Sequence, residues 1–184
     1  MTQATLETNY NVSNQPMYMA LELSKASWKV GFEYGGKRRS VAVEGGNLAQ
    51  LAEEIDKAKE KFKLPVEVSI HSCYEAGRDG FWLHRLLTNW GVVNVVVDPA
   101  SIEVNRQARR AKTDNLDREM LLSKLRLHHR GERVWKVVRV PDEVAEAERV
   151  LHRELERLKK ERGSLGTRIK SSLFAQGIRV ENLA

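Results

Sequence analysis

The sequence has little cysteine and no long apolar run, and both shortages narrow the possible functions. Cys73 is the single cysteine in 184 residues, so no internal disulfide can form and a reducing compartment is expected. No apolar run approaches the roughly 18 residues that a membrane-spanning helix needs. Residues 1–16, interpreted as a polar, disordered arm, lack the basic start and apolar centre of a signal peptide. A cytoplasmic protein is therefore expected.

Aromatic residues are also few, at 7%, but the composition is that of a folded, basic protein. Apolar residues make up 41% of the chain, enough for one domain with a core and an additional segment. Lysine and arginine number 31 against 25 aspartates and glutamates, which gives a formal net charge of +6. This excess favours a polyanionic partner, nucleic acid above all, although basic ribosomal and membrane-surface proteins share the signature.

The first ordered part of the chain has the pattern of three short strands. The stretch "MYMALEL" from Met17 is mostly apolar, and "SWKVGFEY" alternates, with Trp28, Val30 and Phe32 on one face. The "YGGK" sequence that follows is typical of a hairpin turn, and a third strand is expected at about 38–43. These features predict a three-stranded antiparallel meander.

Helices and strands then alternate. Apolar residues at helical spacing from Leu48 predict a helix that is capped by Asn47 and ends at Pro65. Further strands are expected at 66–72 and in "VVNVVV", which is typical of a strand buried on both faces, and helices at 79–90 and 114–128. No GxGxxG follows the first strand, which disfavours a Rossmann fold. The order β-β-β-α-β-α-β-α predicts an α/β domain at 17–138, with a ribonuclease H-like (RuvC-like) mixed five-stranded sheet and flanking helices.

A different kind of segment is expected at 139–184. Its apolar residues alternate at steps of three and four, which is typical of a coiled-coil region: Val144, Leu151, Leu155, Leu158, Leu165 and Ile169. The pattern predicts a long helix, or a helical hairpin broken near Gly163 and Gly166. Such an element packs on the domain or on a second subunit, and a homodimer is expected.

Four carboxylates are the candidate catalytic and metal-binding residues. In a ribonuclease H-like fold the first and fourth strands lie side by side and the last helix faces them. That arrangement brings together four acids from three segments: Glu22, Glu75, Asp114 and Asp117. Four clustered acids need a counter-charge, which Mg²⁺ or Mn²⁺ supplies through oxygen ligands. Two such ions about 4 Å apart can bracket a phosphate during strand cleavage.

Each acid also has a simpler interpretation. Asp114 is a plausible helix N-cap, and Asp117 a first-turn acid that the helix dipole favours. Glu75 fits an ordinary loop residue, and Glu22 fits a strand residue paired with Lys25 or Lys29. These alternatives remain open at the level of the sequence, and the joint pattern carries more weight than any member.

Several motifs resemble one known family. The chain has "ALELSK" around Glu22, "CYEAGRDGFWLHRLL" around Glu75, "VVVDPASIEV", and, most specifically, "AKTDNLDREML" with Asp114 and Asp117. In these motifs, which span about 17–127, the chain resembles the DEDD transposases of the insertion sequence 110 group. The resemblance implies a RuvC-like domain, Mg²⁺-dependent DNA transposition and recombination, guidance by a bridge RNA, and a coiled region after the nuclease-like domain.

The chain departs from that family in two ways. The family's first acid is usually aspartate, whereas this chain has Glu22, whose extra methylene moves the carboxylate by about 1.5 Å. The family also carries a nucleophilic serine in a further C-terminal domain, and no serine up to Ala184 matches it. We therefore expect this chain, whether part of a longer protein or a short relative, not to exchange strands by itself.

Basic residues before the last predicted helix form the expected nucleic-acid surface. The stretch "NRQARRAK" predicts a flexible loop that closes on backbone phosphates, and a solvated basic loop is the alternative. The expected contacts, which also include one residue after the first strand, are Lys25, Arg106, Arg109, Arg110 and Lys112. Phosphate contacts confer affinity rather than sequence choice, and no base-reading motif is present.

The remaining aromatic and histidine residues are interpreted structurally. Trp28, Trp82 and Trp90 are expected in the core. His128 and His129 end a predicted helix and are expected to interact with its dipole. His71 and Cys73 form an H-x-C pair with no second half, so zinc is not expected.

Three functions fit these observations. The first is a metal-dependent, DNA-processing transposase domain that acts through the four acids. The second is a catalytically inactive RNA- and DNA-binding dimerisation module of the same fold, which the replacement of aspartate by Glu22 favours. The third is a structure-selective nuclease that needs no further domain.

Overall fold

The computed structural model describes residues 15–77, 80–102 and 114–180, with side chains in the last range described from Arg118 onward. Within these ranges the strands are β1 (Met17–Glu22), β2 (Ser27–Tyr34), β3 (Lys37–Glu44), β4 (Ile70–Glu75) and β5 (Val93–Val97). The helices are α1 (Leu48–Phe62), α2 (Trp82–Asn89), α3 (Asp114–His129) and α4 (Glu143–Phe174). The predicted arm up to residue 14 and the "NRQARRAK" loop lie outside the described residues.

The five strands form one mixed sheet in the order β3-β2-β1-β4-β5. The neighbours β1, β2 and β3 are antiparallel, whereas β1, β4 and β5 run parallel. Gly35 and Gly36, with φ of 54° and 79°, form the turn between β2 and β3, where a tight hairpin needs positive φ. The prediction of an α/β domain with an antiparallel meander and two crossover-connected strands is confirmed.

The two faces of β1 face different helices because side chains alternate along a strand. Met17, Met19 and Leu21 belong to the larger core, which includes buried residues of α1 and α2. On the other face, Tyr18 and Ala20 pack with buried leucines of α3: Leu121, Leu122 and Leu125. Each buried leucine stabilises the fold by roughly 1.5–3 kcal/mol. The sheet is therefore covered on both sides, with α3 over the second face of β1.

Small residues let α3 approach the sheet closely. Ala20 of β1 and Gly31 of β2 are paired across the strands on the α3 face. A Cβ on Gly31 would lie only 3.2 Å from Cδ1 of Leu122, tighter than an ordinary van der Waals contact. Gly31 therefore sets the distance between α3 and the strands, and with it the position of the side chains that α3 presents.

Several predicted boundaries are wrong by a few residues. The Asn47 cap is confirmed, since Oδ1 accepts the Gln50 N–H at 3.0 Å, and α1 ends at Phe62, the last residue of the predicted helical spacing before Pro65. Lys63 ends it in the left-handed conformation, with φ of 57°. The predicted strand at 66–72 begins only at residue 70, because Pro65 starts a turn in which Val68 N–H donates to its carbonyl at 3.2 Å.

The predicted burial is wrong for two tryptophans and for the start of β5. Trp28 is buried as predicted, but Trp82 and Trp90 are each 41% exposed, because α2 is short and presents them away from its buried Leu83 and Leu87. The prediction that "VVNVVV" is buried on both faces is confirmed for the end of β5, where Val96 and Val97 lie in the two cores on opposite faces of the sheet, but not for its start, where Val93 is 52% exposed.

The chain divides into two compact units between Val140 and Pro141. In the second unit, α4 begins at an Asp142 cap, whose Oδ1 accepts the Ala145 N–H at 2.7 Å, and continues for 32 residues. Of the two predicted alternatives, the single long helix is confirmed and the hairpin broken near Gly163 and Gly166 is not formed, because a glycine inside a helix costs about 1 kcal/mol, too little to end a long helix. No residue of α4 is buried.

Within the described ranges, no helix combines the length and the apolar character needed to cross a membrane.

Candidate active site

Two of the four predicted site residues end neighbouring strands. In the parallel pair of β1 and β4, Leu21 lies opposite Tyr74, so Glu22 and Glu75 are each the next residue along. Alternation places both glutamates on the α3 face, together with Ala20 and Cys73. Because adjacent strands are about 5 Å apart, the fold brings these two acids together at the carboxyl edge of the sheet. Glu75 is the last residue of β4 rather than a residue that follows the strand.

Both glutamates line one cleft of about 760 Å³. Its walls combine acidic, basic and aromatic side chains, contributed by the strand ends, the β1–β2 turn and α2: Glu22, Glu75, Ser24, Lys25, Trp28 and Trp82. Leu21 and Leu23 add apolar surface. The cleft is therefore large enough for hydrated ions together with part of a nucleotide.

The carboxylate of Glu22 points toward α3. The Glu22 side chain is 37% exposed, but its Oε2 is buried and accepts no hydrogen bond from the described residues. The Arg118 Nη1 lies 3.6 Å from that oxygen, and the Arg118 side chain is only 8% exposed. The ion pair of Glu22 is thus made across the fold with α3, a partner that the spacing of residues along the chain did not indicate.

The other two predicted site residues lie at the beginning of α3. The helix begins at Asp114, and Asp117 lies in its first turn, but their side chains are outside the described residues. The adjacent residue, Arg118, reaches Glu22, and Leu121, one turn after Asp117, lines the cleft. Positions 114, 117 and 121 share a helix face, so the first turns of α3 lie beside the two glutamates.

The β1–β2 turn forms one rim of the cleft. Gly45, just after β3, supports it: its N–H donates to the Ala26 carbonyl at 3.1 Å, and a Cβ there would lie 2.5 Å from the Lys25 carbonyl oxygen. Lys25, one of the predicted phosphate-contacting residues, is exposed at this rim. The other predicted phosphate-contacting residues lie outside the described residues: Arg106, Arg109, Arg110 and Lys112.

The donor chemistry of the cleft fits a hard divalent cation. Carboxylate oxygens are the ligands that Mg²⁺ and Mn²⁺ prefer, and a buried oxygen such as Glu22 Oε2 requires a cation or a hydrogen-bond donor. Among the side chains that the structure describes, no group of three or more acids, histidines or cysteines is placed to hold a metal. The predicted ligands Asp114 and Asp117 are not among these side chains.

A second charged cluster on the α3 face was not predicted. Glu33 of β2 is buried, and it accepts from Arg38 Nε at 2.9 Å and Arg126 Nη1 at 2.7 Å. In the sequence Glu33 falls on the face of β2 opposite Trp28, Val30 and Phe32. Only the position of α3 over that face makes Glu33 a buried acid.

Histidine and tyrosine residues form a third group, near the start of β1. Tyr18 Oη and His129 Nδ1 are 2.9 Å apart, and the ring centroids of His129 and His71 are 4.2 Å apart. Burial, and to a lesser degree His129, lower the pKa of His71. His129 lies in the last turn of α3, as predicted, and also bonds across the fold. Four residues of strand, roughly 13 Å, separate Tyr18 from Glu22, so this group lies outside the cleft.

Comparison with known proteins gives one informative similarity. No family model matches the chain. Over 170 residues, 88% of its length, the chain is 39% identical to a protein of Sinorhizobium fredii (strain NBRC 101917 / NGR234) named "Putative transposase y4rJ". The matched region is 42% of that relative, so the chain spans less than half of it.

A solved structure, YeaZ from Pseudomonas aeruginosa, is a much weaker match. It is 14% identical, covers 53% of this chain and 50% of its own, and has a TM-score of 0.37, too low to bear on the fold or the function.

Proposed function

We propose that this chain is the ribonuclease H-like (RuvC-like) DEDD part of a transposase of the insertion sequence 110 group, and that it processes DNA strands with divalent metal. One observation carries the proposal: Glu22 and Glu75, far apart in the chain, end adjacent parallel strands in one cleft beside the beginning of α3. The 39% identity to a relative named as a transposase supports the coarser part of this proposal, a function in transposition.

In this proposal the four acids bind metal from two different elements of the fold. Glu22 and Glu75 would hold a divalent metal from the sheet, and Asp114 and Asp117 would contribute ligands from the first turn of α3. Divalent ions, when bound, activate the attacking oxygen and stabilise the leaving oxygen of the phosphodiester. The carboxylates hold these ions with the helix N-terminus nearby, and the dipole of that terminus favours their negative charge. The nucleophilic serine that the resemblance implies belongs to a further domain, so these residues form the metal-holding half of the reaction.

Groups at the rim of the cleft hold the nucleic acid. The exposed ammonium of Lys25 contacts a backbone phosphate, and the basic residues before α3 extend this contact: Arg106, Arg109, Arg110 and Lys112. Trp82 presents an exposed ring in the same cleft and packs against buried Trp28, with ring centroids 5.9 Å apart. A held, exposed indole is suited to stacking on a base of an unpaired strand. A guide RNA and DNA are the proposed partners.

Calorimetric titration of Mn²⁺ tests the proposal. We expect the unmodified chain to bind Mn²⁺, and the double variants Glu22→Gln/Glu75→Gln and Asp114→Asn/Asp117→Asn to bind it at least tenfold more weakly. A matched control, Glu53→Gln/Asp56→Asn, removes two exposed acids from α1 and is expected to bind like the unmodified chain. Absent binding, or equal binding in all four proteins, contradicts the metal site.

A second candidate is a catalytically inactive RNA- and DNA-binding module of the same fold. Its support is the ion pair between Glu22 and Arg118, which gives Glu22 a counter-charge without any metal. This candidate predicts oligonucleotide binding that does not depend on Mn²⁺ and is unaffected by the acid-to-amide variants. Cleavage of branched or nicked DNA by this chain alone would instead support a structure-selective nuclease.

A further inference from the structure

Arg118 is a buried cation in the wall of the carboxylate cleft. Its aliphatic stem lies over Gly31: a Cβ on that glycine would be 3.9 Å from both Cβ and Cδ of Arg118. Its Nη1 reaches to 3.6 Å from the buried Oε2 of Glu22. The absence of a side chain on Gly31 gives the guanidinium a path along the sheet to the end of β1.

The charge of Arg118 is permanent, and this restricts what Glu22 can do. A guanidinium keeps its proton at every pH at which the protein is folded. A buried cation also needs a counter-charge, and Glu22 supplies one. A divalent cation at the same carboxylate meets a fixed positive charge a few ångströms away. The metal and Arg118 therefore oppose each other at Glu22.

The length of the Glu22 side chain fits this pairing. Aspartate at the same position would withdraw the carboxylate by about one C–C bond, roughly 1.5 Å, and so increase its separation from Arg118. The longer side chain keeps the carboxylate against α3. The glutamate at the end of β1 and the arginine beside Asp117 thus form a matched pair in this chain.

We infer that Arg118 is a positioning residue that holds the Glu22 carboxylate against α3 in the metal-free protein and competes with a divalent cation for it. The inference rests on the proposed metal site. It means that Arg118 weakens metal binding at this cleft while stabilising the cleft without metal. An arginine with a purely structural role would have the opposite effect on metal binding, because its loss would disorder the ligands.

Titration of Mn²⁺ into Arg118→Met and a control tests the inference. An opposite charge at this distance changes proton affinity by one to three orders of magnitude, so we expect Arg118→Met to bind Mn²⁺ about tenfold or more tightly than the unmodified chain. Arg118→Lys retains a cation and is expected to change the affinity less. The control is Arg126→Met, which removes the same charge from the same helix and also breaks an ion pair, with Glu33; its affinity for Mn²⁺ is expected to stay unchanged.

Thermal unfolding of the same proteins adds a measurement that does not depend on catalysis. Without metal, we expect Arg118→Met to unfold at a lower temperature than the unmodified chain. Saturating Mn²⁺ is expected to raise the unfolding temperature of Arg118→Met by more than that of the unmodified chain. If Arg118→Met does not fold, Glu22→Asp replaces it in the test. The shorter side chain moves the carboxylate away from Arg118, so Glu22→Asp is also expected to bind Mn²⁺ more tightly than the unmodified chain.

The possible outcomes separate this inference from the proposed function. One outcome overturns this inference but leaves the proposed function intact. In it the unmodified chain binds Mn²⁺, and Arg118→Met, or Glu22→Asp in its place, binds Mn²⁺ equally well or more weakly. Tighter binding in the Arg126→Met control also overturns it, because the effect would then be one of net charge. Absence of Mn²⁺ binding in every protein of the series contradicts the metal site, and the inference with it.

Discussion

At the scale of single residues, Trp82 is the proposed base-stacking contact. Its exposed ring lies in the cleft, whereas Trp90 is equally exposed at the other end of the same helix and outside it. Stacking on one base contributes about 1–3 kcal/mol. We expect Trp82→Ala to weaken the binding of a fluorescein-labelled single-stranded DNA by about fivefold or more, measured by anisotropy. Trp90→Ala is the control, and equal losses in both variants would count against the base-stacking role.

Glu33 is a buried acid whose charge is expected to stabilise the fold. It binds two arginines whose side chains are 39% and 37% exposed. Hydrogen bonds to a charged group contribute about 1.5–3 kcal/mol each, so we expect Glu33→Gln to lower the free energy of unfolding by roughly 2 kcal/mol in urea denaturation. Glu53→Gln, which breaks an exposed pair with Lys57, is expected to cost less than about 0.5 kcal/mol. A small effect at Glu33 would show that its arginines pair equally well with the neutral amide.

At the scale of elements, the start of β1 and β4 and the end of α3 form a pH-sensitive contact. The pKa of His71 is lowered, first by burial and second by His129, so the unfolded chain takes up a proton that the folded chain resists. The effect of His71 on the free energy of unfolding is therefore most favourable above about pH 6.5, and the protein loses stability as the pH falls below that value. Burial lowers the pKa of His84 too, with the same sign.

His71 is expected to make the free energy of unfolding depend on pH. We expect the free energy of unfolding to fall between pH 7.5 and 5.5, and His71→Asn to make that fall shallower. The other charged and titratable groups at this contact are unchanged in the variant: Tyr18, Glu33, Arg126, His129 and Arg130. His152→Asn, on exposed α4, is the control. An identical slope in His71→Asn and the unmodified chain would show that His71 does not titrate differently on folding.

At the scale of the whole molecule, the apolar seam of α4 lacks a partner within its own unit. Leu155 and Leu158 are each half exposed, as are their neighbours along the seam. A helix that packs against no other element has little stability of its own, because most helical stability in proteins comes from tertiary packing. Apolar residues at a/d spacing are typical of helices that associate with one another. We propose that α4 pairs with α4 of a second copy of the chain.

Sedimentation equilibrium tests this pairing. We expect the unmodified chain to form a dimer, and Leu155→Lys/Leu158→Lys to be monomeric with an unchanged α/β domain. The control variant is Arg153→Ala/Lys160→Ala, at positions opposite the seam in the heptad pattern, and it is expected to remain dimeric. A monomeric unmodified chain would contradict the proposal, and so would a dimer that survives both charges in the seam.

Local patterns predicted the elements well because their causes are local. Alternation in β2, the glycines of the β2–β3 turn and the Asn47 cap act within a few residues, so the order of strands and helices followed from them. Predictions failed where a distant neighbour mattered. Apolar character alone suggested that Trp82 and the whole of β5 are buried, whereas Trp82 and Val93, at the start of β5, are exposed because burial depends on which elements pack nearby.

By itself the sequence determined the class of the domain, the order of its elements and the identity of the candidate acids. Only the tertiary structure showed that Glu22 and Glu75 end neighbouring strands, that Arg118 reaches Glu22, and that α3 buries Glu33. The physical reason is that spacing along the chain describes one segment at a time. Strand order, register and the close approach of α3 at Gly31 are properties of the packed sheet, and they establish which charges meet.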